Sequence, residues 1–105
     1  WCEDFGDGTL ECVVPGSGGG LDGVGVDACG NVYVTEYVLG NVWRISQDST
    51  TTELFMELPS QWIPNLHWGA GVGGWLTTTL YIMDRDQGRI FAAPTGVLGK
   101  TMPYP

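Results

Sequence analysis

His67 is the single histidine of a 105-residue chain and the side chain best placed to move a proton near neutral pH. It stands two residues after Asn65, so on a strand the two side chains share a face. There His67 serves as a ligand or acid–base group, or it simply packs. Asp22 opens the segment Asp22-Gly23-Val24, where a carboxylate either caps the turn at a strand's start or offers an oxygen ligand. Asn65, after Pro64, carries the same two readings. Two acid-rich runs, Asp27-x-x-x-Asn31 and Asp84-x-Asp86-x-Gly88, superficially match a calcium loop. They lack its closing glutamate and helical flanks, and they read as hairpin turns. Ser17 lies in a glycine run with no His or Asp at an informative spacing, so a serine nucleophile is unsupported.

Three cysteines show no C-x-x-C spacing, which leaves a zinc or redox motif without support. Cys2 and Cys12 lie symmetrically around Asp7 in WCEDFGDGTLECV. If residues 5–9 form a hairpin turn, the two thiols face each other within disulfide reach. A Cys2–Cys12 disulfide is the expectation, and with it an extracellular or periplasmic location. Cys29 is then odd: a free thiol, a rival partner for Cys12, or an intermolecular link.

The elements that must carry these residues are short. Seventeen glycines and six prolines argue for many turns, while a hydrophobic fraction of 43% is too high for a disordered segment. Residues 1–13 read as a hairpin and residues 14–20 as a glycine-rich connector, the end of a preceding unit. Strands follow at residues 24–26, 31–37, 41–46 and 52–58, where alternation and turn residues agree. A second unit runs through 65–68, a long glycine-rich loop at 69–77, then 80–83 and 89–93. An outer strand after Pro94 is hard to place. No segment has sustained helical periodicity, so the fold class is all-β.

The two units are copies. A shift of 48 residues lays Val32-Tyr33-Val34 on Leu80-Tyr81-Ile82, Glu36 on Asp84, Gly40 on Gly88 and Trp43 on Phe91. A repeat of that length made of short strands is the signature of a β-propeller blade. The expected architecture is two four-stranded antiparallel blades, residues 21–59 and 60–99, from a six-bladed propeller, with a tail at 100–105. Trp43, Tyr33, Tyr81 and Phe91 are the expected inter-blade core, and Trp68 and Trp75 border the glycine-rich loop.

Two blades alone expose broad apolar faces and open strand edges. Association with other blades or copies is therefore expected, as a closed homo-oligomer or, if the rotation fails to close, a fibre. Twelve acids against four bases give a net charge of −8. That balance argues against nucleic acid and anionic membranes as partners. No apolar run approaches the roughly 18 residues of a membrane span.

DGVGVDACGNVYVTEYVLGNVWRIS and IPNLHWGAGVGG…TLYIMDRDQGRIFAA resemble consecutive blades of the senescence marker protein / gluconolactonase / luciferin-regenerating enzyme group, which shares its pattern with NHL-type propellers. The resemblance spans roughly residues 20–99. It implies a calcium or zinc ion at the mouth of a central channel, with Asp22 and Asn65 as ligands and Asp22 also a general base. His67 is an outside candidate for catalysis. Such an ion would polarise a lactone carbonyl and its attacking water. Leu66 stands where the family has glycine, Leu21 where it has proline, and the family's glutamate ligand belongs to a blade outside these residues. Two functions follow: an extracytoplasmic propeller module working by binding and assembly, or a metal-dependent lactonase-like hydrolase.

Overall fold

The computed structural model describes residues 20–101, together with the backbone of two short strands before them. The strands are β1 (Cys2–Asp4), β2 (Leu10–Cys12), β3 (Leu21–Val26), β4 (Val32–Glu36), β5 (Asn41–Ile45), β6 (Thr52–Glu57), β7 (Asn65–Trp68), β8 (Thr79–Asp84) and β9 (Arg89–Pro94). The fold is all-β, and every strand pairing is antiparallel. Strands β3 to β6 form a four-stranded sheet in sequence order, β7 to β9 a three-stranded sheet, and β1–β2 a separate hairpin. No helix among the described residues is long and apolar enough to cross a membrane.

The second sheet has three strands, not the expected four. The reason lies beyond Pro94. Residues 95–100 turn back to the first sheet instead of running alongside β9. The Ala28 N–H donates to the Leu98 carbonyl at 2.8 Å, the Lys100 N–H to that of Val26 at 2.9 Å, and Asp27 bridges Gly99. The chain that would supply a fourth strand is thereby committed elsewhere.

Each repeat closes its central hairpin in the same way. Glu36 pairs with Asn41 and Asp84 with Arg89, at matching ends of β4–β5 and β8–β9. Gly40 and Gly88 take positive φ of 74° and 66°, which side-chain-bearing residues adopt only with strain. The inner strands follow a different offset: Tyr33 pairs with Gly25, and its counterpart Tyr81 pairs with His67. The connection from Trp68 to its partner Leu80 is six residues longer than that from Val26 to its partner Val32, so the repeat is 42 residues at the inner strand and 48 beyond it.

The sheets pack through one apolar layer. Tyr33 and Val42 from the first sheet meet Leu66, Trp68, Leu80, Ile82 and Ala93 from the second, with Ile63 beneath and Phe55, Met56 and Phe91 at the margin. Burying side chains such as Leu80 and Ile82 contributes roughly 1.5–3 kcal/mol each. Tyr33 contacts Trp68 and Phe55 edge-to-face, at 5.0 and 5.2 Å between ring centroids. Close approach of β7 to β3 depends on missing side chains. A Cβ on Gly23 would fall 2.5 Å from the Asn65 Cα, and one on Gly25 2.7 Å from a Leu66 methyl. A second, smaller cluster around Val34 and Ile45 lies on the opposite face of the first sheet with Leu21, Val32 and Trp43.

Candidate functional site

Cross-strand pairing decides which side chains the second sheet turns away from the core. His67 pairs with Tyr81 and Tyr81 with Ala92; Asn65 pairs with Met83 and Met83 with Ile90. Directly opposed residues share a face, so these six form one outer surface. Their neighbours Leu66, Leu80 and Ile82 fill the core. The glycine-rich loop then builds one wall. Gly71, Gly73 and Gly74 take positive φ, the Gly71 N–H donates to the Trp75 carbonyl, and the chain coils back over the sheet. The Tyr81 hydroxyl accepts the Leu76 N–H at 2.9 Å, and Trp75 stands edge-on to the Tyr81 ring at 4.7 Å.

The result is a shallow apolar groove of about 320 Å³, lined by His67, Gly69, Trp75, Tyr81, Met83 and Ile90. His67 is exposed at its rim, and its Nδ1 lies 2.7 Å from the Trp68 carbonyl oxygen. A carbonyl only accepts, so Nδ1 is the donor in this contact. Both tryptophans beside the glycine loop line this groove, Trp75 as an exposed wall and Trp68 from within the core, where it is buried. Tyr81 lies on the outer face of the second sheet, opposite the layer between the two sheets that holds its counterpart Tyr33.

Asp22 and Asn65 are exposed at the starts of neighbouring inner strands, joined by the close contact of Gly23 with Asn65. The Asn65 Oδ1 accepts the Leu66 N–H at 2.9 Å. Calcium takes six to eight oxygen ligands. These two residues fall well short, and no three His, Cys, Asp or Glu side chains converge among the described residues. The donors present do not fit a complete metal site. The strand register sets Cys2 directly opposite Cys12 along the backbone, while the disulfide itself lies outside the described residues. Cys29 is a free, exposed thiol in the β3–β4 turn.

Asp27 and Asp84 cap the hairpin turns expected of their runs, and Glu36 is the buried carboxylate that motif reasoning missed. Asp84 accepts from the Ser60 hydroxyl, from Arg89 Nε at 2.7 Å, and from the N–H groups of Asp86 and Gln87. Burial pushes its pKa up, but these bonds outweigh that and hold it below 3.8. Asp27 behaves alike. Burial is opposed by bonds from the Asn31 side chain and backbone, the Tyr33 hydroxyl and the Cys29 N–H, and its pKa is lowered. Glu36 accepts from Asn41 Nδ2 at 2.8 Å and Trp43 Nε1 at 3.1 Å. All three are tied into turns and strand ends, which is a structural use of charge. The alignment of Glu36 with Asp84 was the one available signal for this role.

No family model and no curated protein matches the sequence.

Proposed function

We propose that this chain is a pair of β-propeller blades working as an extracytoplasmic binding and assembly module, which associates with further blades or copies through its second sheet. One observation carries the reading. Val42 of the first sheet is fully buried between the sheets, while its counterpart Ile90 is 47% exposed on the outer face of the second sheet. Tyr33 and Tyr81 repeat the contrast. A surface patterned like a buried one, flanked by exposed Trp75, Leu76 and Val72, is what an association surface requires. The opposed backbone positions of Cys2 and Cys12 support the extracytoplasmic setting.

The test compares two exposed apolar positions by light scattering. Ile90→Asp, on the second sheet, is expected to lower the mean mass of the associated protein, and Val38→Asp, on the β4–β5 turn, to leave it unchanged. Equal behaviour of the two variants and the parent chain would overturn the reading.

A second reading, a lactonase-like hydrolase with a divalent cation at the channel mouth, draws on the adjacency of Asp22 and Asn65 at the inner strands. It needs ligands from other blades. Calcium titration decides it: saturable binding abolished by Asp22→Ala supports this reading, and no binding removes it.

A further inference from the structure

Among the described residues the second sheet ends on β9, which pairs with β8 alone. In the first sheet the equivalent strand, β5, is covered by β6 along its whole length. The hydrogen-bonding pattern identifies which groups β9 leaves open. The Thr95 N–H donates to the Thr78 carbonyl, in continuation of the β8–β9 register. Antiparallel strands alternate bonded and non-bonded pairs. Ala93, Phe91 and Arg89 therefore turn their backbone groups towards β8, and Ile90 and Ala92 turn theirs outward, with the Pro94 carbonyl beyond. Natural edges are blunted by lysine, inward-pointing charge, bulges or central proline. Along Arg89–Pro94 the register is regular, and the only proline is the last residue.

Resting on the assembly reading above, we infer that the partner is a second copy of this chain, paired antiparallel through the β9 edge across a two-fold axis. With Phe91 on the axis, Ile90 stands opposite the other copy's Ala92, and the outward N–H and C=O groups of both residues meet as bonded pairs. Arg89 then faces Ala93, so no like charges oppose one another. The whole strand, RIFAAP, contains no acid in a chain of net charge −8, which makes this edge a place where two copies approach without carboxylate repulsion. The outer surfaces of the two sheets become one, carrying Tyr81, Met83 and Ile90 from each copy. A cyclic two-fold pair is also the commonest form of soluble oligomer.

The experiment measures mass by analytical ultracentrifugation and amide exchange by hydrogen–deuterium exchange on the full chain. Ala92→Pro removes one outward N–H and is expected to halve the mean mass to that of one chain, while Ala92→Ser, which keeps the N–H, retains the pair. In the parent chain, the amides of Ile90 and Ala92 are expected to exchange more slowly at high than at low concentration, a result that needs no variant to fold. Association insensitive to Ala92→Pro, with these amides exchanging equally at both concentrations, overturns the edge and leaves the assembly reading standing. A parent chain that stays monomeric overturns both.

Discussion

At the scale of single residues, buried charge settles how this chain uses its acids. Asp84 links the two repeats: Ser60, which it holds, lies in the connecting segment that also receives the β4–β5 turn, through the Leu58 N–H to Gly40 carbonyl bond. Both Asp27 and Asp84 have pKa values depressed below 3.8 in the folded chain. Their contribution to stability is thus full above the unfolded value and is lost as pH falls through the lower folded one. The urea midpoint is expected to hold at pH 6 and to fall once the pH drops below the ordinary carboxylate range, about 4. Asp84→Asn should lower the midpoint at pH 6 and reduce its fall on acidification. A midpoint independent of pH across that range would contradict this account. Spacing alone does not reveal such a role, because Ser60 sits 24 residues away from Asp84 and becomes its partner only once the sheets have packed.

Among the elements, the two repeat turns offer an internal comparison. Gly40 and Gly88 are equivalent and both have positive φ, so alanine at either costs about 1–2 kcal/mol in backbone strain. Their surroundings differ. A Cβ on Gly40 would lie 1.8 Å from the Ser60 carbonyl oxygen, whereas one on Gly88 meets nothing within 4 Å. Urea unfolding is expected to show Gly88→Ala near that strain cost and Gly40→Ala well beyond it; equal losses would refute the turn packing described. Most of the strand order was legible, because alternation in residues 31–37 and glycines at the turns are local signals. The length of the second sheet was not. The segment after Pro94 is diverted by hydrogen bonds to Val26 and Ala28, about 70 residues earlier in the chain, and no local pattern encodes that.

For the whole molecule, the 48-residue echo correctly marked two related sheets, yet equivalence in sequence hid a difference in environment. Tyr33 is buried between the sheets and Tyr81 lines an open groove, although both follow the same strand pattern. The strand pattern is the same in both repeats and does not encode which of the two faces is covered. The six extra residues in the β7–β8 loop then fold Trp75 back beside Tyr81 and give the outer surface its wall. An apolar groove, an unpaired edge and a counterpart face that is covered in the other repeat all point to association. Sedimentation equilibrium of the 105-residue chain over a wide concentration range tests that claim most directly. The account predicts a mean mass that climbs with concentration from one chain to an integral multiple of it; a mass of one chain at every concentration would contradict it.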